Sequence, residues 1–194
     1  MKVRWRLYRF DYDNFELIGP SLRDAVVASD FECFEHTPDT DRLILRMASG
    51  KLRPVRAKHV FIITHCCKGM PIELDSQFSK TVATLMASPK TEDVGNRLGS
   101  LLDGSSLKET WLEEPANGVI KGYLNPLQTL ELHTVYAPLA ERLRVKKQAK
   151  GQDMRHFLRM LFNLELDQCS ALRSIWELIK VASESGQGIA LIAV

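Results

Sequence analysis

The sequence predicts an α+β fold: a helix-dominated single domain whose N- and C-terminal strands join in one small sheet. Three observations carry this expectation. Residues 3–10 alternate, with Val3, Trp5 and Leu7 set against Lys2, Arg4 and Arg6, the period of a strand. The run from Gly188 to Val194 is uncharged and holds Ile189, Leu191 and Ile192, which reads as a buried strand. Between these ends apolar residues recur mostly at helical spacing, and strand signals are few. A length of 194 residues suits one domain over 1–194. With 45% apolar and 26% charged residues, the disordered, collagenous and disulfide-scaffold classes are excluded.

The elements follow in order. Ser21 can cap a helix through Leu22, Ala25, Val26 and Phe31. Asp39 or Thr40 opens a short helix through Leu43, Leu45 and Met47, stopped by Gly50. Residues 57–67 carry two readings. Val60, Ile62 and Ile63 favour a strand, whereas the solid apolar stretch fits a buried helix ending at Gly69 and Pro71. Ser76 or Ser79 opens a helix through Val82, Leu85 and Met86, with Pro89 after it. Thr91, followed by Glu92 and Asp93, opens the next, through Val94, Leu98, Leu101 and Leu102 to Gly104.

Residues 105–124 read as a loop with turn residues Pro115, Asn117 and Gly118. Asn125 and Pro126 then start a helix through Leu132, Val135, Tyr136, Leu139 and Leu143, which Pro138 kinks or divides. Met154, Phe157, Leu158 and Leu161 mark another helix. Asp167 caps the last, with Leu172, Ile175, Trp176, Ile179 and Ala182 as its stripe and Gly186 as its stop. The expected core holds Trp5, Leu7, Val26, Phe61, Ile62, Leu101, Leu132 and Val135, then Phe157, Leu161, Leu172, Ile175, Trp176, Ile179, Leu191 and Ile192.

Several segments also line up in a familiar order: Gly50-Lys-Leu-Arg-Pro, then VFIITHCCKG, LLDGSSL, KGYLNPLQTLEL and a closing SGQGIALIAV. This arrangement resembles the YfbM-like bacterial proteins and related domains of unknown function, most clearly over residues 101–137 and 167–194. Tyr123-Leu124-Asn125-Pro126 matches their Tyr-Leu-Thr/Ser-Pro helix opening, with Asn replacing the hydroxyl residue; both types can cap. The acidic pair that usually follows the Pro is Leu127-Gln128 here. The resemblance implies a mixed fold with no established activity, and it favours helix for the segment holding Val60 to Gly69.

Catalytic grammar is missing from the sequence. It contains no phosphate-binding G-x-x-x-x-G-K-S/T, no G-x-S-x-G, no H-E-x-x-H and no C-x-x-C. Gly186-Gln187-Gly188 stands between a helix and a strand, the reverse of the order a pyrophosphate needs, and reads as a turn. The spacing of Cys33, Cys66, Cys67 and Cys169 matches no disulfide framework, so reduced, mostly buried thiols and a cytoplasmic location are expected. MKVRWRLYRF lacks the apolar centre of a secretory signal, and no apolar run approaches a membrane span of about 18–20 residues.

One metal-like set can be written down: Cys33 and His36 with His65, Cys66 and Cys67. Side chains of the adjacent pair Cys66 and Cys67 diverge, and Cys33 and His36 lie in an acidic segment, so buried thiols are expected rather than a metal or cofactor. Whether the five residues converge is open at this level. A nucleophilic pairing of Cys66 with a distant His needs a proximity that sequence does not display. The carboxylate pairs Asp11 with Asp13 and Glu113 with Glu114 come with no second ligand set and read as solvated. His59, His133 and His156 receive no role.

Charge is the remaining signal. Residues 11–41 hold nine acids and one base, Arg23; residues 42–58 hold six bases and no acid; residues 142–159 hold seven bases and one acid, Asp153. Separate solvated faces are the plain reading of these blocks. The functional reading is a non-enzymatic protein-interaction module, immunity- or antitoxin-like, whose acidic face of Asp30, Glu32, Glu35 and Asp39 covers a basic partner. The alternative is a nucleic acid or other polyanion held by Lys51, Arg53, Arg56, Arg144, Lys146 and Lys147, although aromatics do not interleave with these bases. An enzyme of unrecognised type is the third reading, disfavoured by the missing motifs. Trp111 is a candidate partner contact.

Overall fold

A computed structural model describes residues 4–28, 30, 38–51, 54–107, 120–145, 164 and 166–193. In chain order the elements are β1 (Trp5–Phe10), α1 (Tyr12–Ala28), α2 (Pro38–Ala48), α3 (Pro54–Cys66), β2 (Cys67–Leu74), α4 (Phe78–Met86) and α5 (Glu92–Asp103). A 3-10 turn (Ser105–Leu107) follows, then β3 (Ile120–Leu124), α6 (Pro126–Val145), α7 (Leu166–Glu184) and β4 (Gly188–Ala193). The fold is α+β, and its four strands form one antiparallel sheet in the order β2-β1-β4-β3. The terminal strands pair at its centre, running from Trp5 opposite Ala193 to Phe10 opposite Gly188.

Helices cover both faces of this sheet. Neighbouring strand residues point to opposite sides, and the two apolar clusters divide accordingly. Leu7, Ile189 and Leu191 pack with α4, α5, α6 and α7, whereas Phe10 and Ala190 pack with α1, α2 and α3. Gly188 to Ile192 are therefore buried on both sides, which is why β4 lacks any polar alternation.

Local sequence grammar explains several boundaries. Asn125 and Gln128 form a reciprocal cap: the Gln128 N–H donates to Asn125 Oδ1 (2.9 Å), and the Asn125 N–H donates to Gln128 Oε1 (3.0 Å). At the end of α7, Gly186 at φ 62° lets its own N–H reach Ser183 O (3.2 Å) while the Gln187 N–H reaches Ala182 O (2.8 Å). Residues 57–66 are helical within α3, as the apolar stretch and the resemblance favoured.

Other elements depart from expectation. Helix α1 begins at Tyr12, nine residues before the expected cap Ser21, because Asp11 caps it by accepting the Asn14 N–H (3.1 Å). Gly19 and Pro20 lie inside α1, and the helix runs through both. Phe15, Gly19, Leu22 and Ala25 make a buried stripe, and Pro20 faces solvent, where one missing N–H is tolerated. Gly69 and Pro71 do not follow a helix end. They lie within β2, where the pairing slips between Leu7 opposite Ile72 and Arg9 opposite Lys68. Gly69 at φ 73° makes that bulge, and Pro71 is accommodated on an edge strand.

The expected loop 105–124 ends in β3. Gly122 is required there, because a Cβ would stand 2.5 Å from Leu101 O where α5 crosses the strand. Thr91 holds the N-cap position of α5 without capping; its hydroxyl donates to Leu85 O (2.8 Å) and ties α4 to α5. Asp167 lies inside the first turn of α7 rather than ahead of it, and α6 passes Pro138 undivided. Trp5, Val135 and Trp176 are half-buried at the rim of the core. Leu45 and Met86, expected on apolar stripes, are exposed. The side chain of Val26 and the expected core residues Phe157 and Leu161 lie outside the described set.

Candidate functional site

Among the described residues, Cys66, Cys169 and His59 are turned inward. Cys66 ends α3 with its side chain fully buried, and desolvation, aided by Asp11, pushes its thiol up to about 12. Cys67 opens β2, and burial beside Cys66 pushes it up to about 12 as well. Both are protonated near neutral pH and ill suited to nucleophilic attack. The surrounding polar groups hold backbone: Asn14 Nδ2 and Lys68 Nζ donate to His65 O (3.2 and 3.0 Å), and Lys68 also pairs with Asp11 (3.6 Å). His65 stacks on Phe61, with ring centroids 4.1 Å apart. Among the described residues no three His, Cys, Asp or Glu side chains gather as metal ligands; Cys33 and His36 lie outside that set.

His59, given no role by its sequence context, is a fully buried strut. Its Nδ1 accepts the Ile120 N–H (3.4 Å), joining α3 to the edge strand β3. The proton then sits on Nε2, which has no partner among the described residues. Burial, with Lys58 adding to it, lowers the imidazole pKa from 6.5 to about 4, so the ring is neutral. Ser106 serves the same edge, its hydroxyl accepting the Tyr123 N–H (2.9 Å). Edge donors are thus capped by side chains instead of being left to pair with another chain.

Three concave surfaces stand out. The cleft between α6 and α7, about 430 Å³, has Trp176, Ala137 and Ala140 on its floor, with two acids (Glu141, Glu177) facing two bases (Arg173, Lys180). Arg173 is spent on Leu143 O (2.8 and 3.2 Å), and Lys180 stands 4.0 Å from Glu184. A second, polar cleft of about 490 Å³ lies where β2, α4 and α7 meet. Its groups are engaged internally: Glu73 pairs with Arg6 (3.0 Å), Asp75 accepts the Gln77 N–H (2.8 Å) and Thr81 donates to Gln77 O (3.0 Å).

The third surface, a groove of about 590 Å³ between α2 and α3, is different in kind. Arg42, Leu43, Leu45 and Arg46 line it from α2, and Val60 and Thr64 line it from α3. Helix α2 turns Leu43 inward, with Ile44 and Met47 half-buried. That leaves Arg42 and Arg46, one turn apart, on the outer side with Leu45, which is 68% exposed. On α3, exposed Arg56 precedes Val60 and Thr64 at four-residue spacing, and exposed Lys51 follows Gly50 at the end of α2. Among the described residues no carboxylate lies within 4.0 Å of Arg42, Arg46, Lys51 or Arg56.

The residues singled out from sequence are only partly gathered. Lys51 and Arg56 flank the groove. Arg53, Lys146 and Lys147 lie outside the described residues, and Arg144 is in the last turn of α6 with its side chain undescribed. Helix α6 belongs to the layer across the sheet, so the basic blocks 42–58 and 142–159 start from opposite faces. Of the acidic set, Asp30 is exposed just after α1, Asp39 lies in the first turn of α2 with its side chain undescribed, and Glu32 and Glu35 are outside the described residues, as is Trp111. The groove residues Leu45, Val60 and Thr64 escaped sequence reasoning. The available signal was Leu45 set between Arg42 and Arg46 in a block without acids.

No protein-family model, curated protein or solved structure matches the chain. Among the described residues no helix is long and apolar enough to cross a membrane. Fold and surface together define an α+β protein that, among the described residues, keeps Cys66 and His59 buried and neutral and carries a basic, apolar-floored groove between α2 and α3.

Proposed function

We propose that this protein is a non-enzymatic protein-binding module of the cytoplasm. The observation that carries the reading is the α2–α3 groove, where free guanidinium groups surround an exposed leucine. Guanidinium groups without internal partners are available to steer and hold an acidic surface, and exposed apolar area adds affinity once covered. Helix α1 belongs to the same layer and offers a second, acidic surface: Asp13, Glu16 and Asp24 are exposed along it, and in sequence Asp30, Glu32, Glu35 and Asp39 follow. Opposite charges on one layer suit a partner with its own two-signed surface.

The polyanion reading draws on the same free bases, Arg42, Arg46, Lys51 and Arg56. Phosphate contacts would leave Leu45 and Val60 uncovered, and no aromatic side chain lines the groove as a stacking platform. A tagged pull-down from the native host, with mass spectrometry and nucleic-acid detection, separates the readings. One stoichiometric protein, released by Glu32→Lys with Glu35→Lys or by Arg42→Glu with Arg46→Glu, supports the module. Nucleic acid alone, washed off by salt, supports the polyanion reading; recovery of neither counts against both.

A further inference from the structure

We infer that the α2–α3 groove takes an acidic amphipathic segment of a partner protein. The inference rests on the protein-binding reading and names the chemistry of its partner. Carboxylates of the segment sit against Arg42, Arg46 and Arg56, and an apolar residue between them covers Leu45 and Val60. Three features of the groove ask for this combination together. The guanidinium groups of Arg42 and Arg46 are a turn apart on α2, which suits acids three or four residues apart on a bound segment. Neither guanidinium has an ion pair to give up among the described residues, so binding breaks no internal salt bridge. Leu45 at 68% exposure, with Leu43 and Val60 beneath, rewards an apolar side chain and gives nothing to a bare polyanion.

The neighbouring clefts lack this combination. The α6–α7 cleft balances its acids and bases, and in the β2–α4–α7 cleft both acids, Glu73 and Asp75, and Thr81 are bonded within the protein. Only the α2–α3 groove, among these three, carries uncompensated charge of one sign around an apolar floor.

The test is selection of a displayed library of random 16-residue peptides on the full chain, counter-selected on the Arg42→Glu/Arg46→Glu variant. Expected enrichment is Asp and Glu interleaved with Leu, Ile or Phe at three- to four-residue spacing. A synthetic copy of the leading peptide should lose tenfold or more in affinity on Arg42→Glu/Arg46→Glu and several-fold on Leu45→Ser. All three side chains are exposed, so unchanged melting curves should show the variants folded. Peptides without acidic bias, peptides held equally by the double variant, or no enrichment at all overturn the inference. So does a single-stranded oligonucleotide that binds through the same two arginines while no peptide is enriched. A host partner captured equally by wild type and double variant overturns the groove assignment and leaves the protein-binding reading standing.

Discussion

The two helical layers use their charged and apolar residues differently. Across the sheet, in the α4–α7 layer, side chains are spent on holding the layer together. Arg97 of α5 binds Glu131 of α6 (2.6 Å), Arg173 of α7 reaches a carbonyl of α6, and the Tyr136 hydroxyl donates to Leu172 O (2.8 Å). His133 stacks on Trp176 with centroids 4.7 Å apart and planes 9° apart. In the α1–α3 layer the interior is just as dry. Phe10, Tyr12, Phe15 and Tyr123 meet with centroids 5.2–5.9 Å apart. Its outer surface exposes Leu17 (77%) and Leu45 (68%), as the other layer exposes Leu127 (64%) and Leu130 (50%), but here Leu45 stands beside Arg42 and Arg46, which are unpaired among the described residues. The difference concentrates in the α2–α3 groove, where an exposed leucine and two arginines without ion pairs among the described residues lie together.

The comparison can be broken at its strongest point first. Phe15→Ala removes a ring from the centre of the α1–α3 core and should cost about 3–5 kcal/mol in urea unfolding. A loss below about 1 kcal/mol would mean that this layer contributes little cohesion.

Acid should come next. His59 has a folded pKa of about 4 against 6.5 unfolded, so the unfolded chain takes the proton first. Stability is whole above about pH 6.5 and falls by up to about 3 kcal/mol as pH drops toward 4. His59→Leu should lower the plateau, because the Ile120 N–H loses its acceptor, and should flatten the pH dependence. Equal slopes for wild type and variant, read from urea midpoints between pH 7.5 and 4.5, would remove His59 as the cause.

Caps give a smaller effect. Asn125→Ala breaks the reciprocal cap of α6 and should cost about 1 kcal/mol; an unchanged midpoint would show that packing alone holds that end. The smallest effect tests the contrast in surface charge. Arg97→Gln should cost about 0.2–1 kcal/mol and the loss should shrink with salt, whereas Arg46→Gln should leave stability unchanged. Matching losses at both positions would mean that Arg46 has an internal partner after all.

The α4–α7 layer was also the more legible in sequence. Glu92 and Asp93 in a first turn, Gly104 and Gly186 as stops, and the stripe from Leu172 to Ala182 all act within a few residues of where they are written. Asn125 was readable as a cap, and Gln128 answers it with a second hydrogen bond at the helix start. In the α1–α3 layer, Ser21 and the pair Gly69 with Pro71 misled. Asp11 rather than Ser21 starts α1, and an edge-strand bulge absorbed Gly69 and Pro71. Of the candidate site, the basic block was legible and its shape was not. Arg42 and Arg46 stood in that block, but the groove needs α3 laid beside α2, and Leu45 looked like core.

By itself the sequence determined most of the helical stripes, the Asn125 cap, the stops at Gly50, Gly104 and Gly186, the two terminal strands and the blocks of charge, because each depends on neighbours a few residues away. The tertiary structure decided β2 and β3, whose ladders are completed by β1 and β4 from distant parts of the chain. It also decided which charges are free. An arginine is paired or unpaired according to the carboxylates that folding brings within about 4 Å of it, and that separation is written nowhere in the order of the residues.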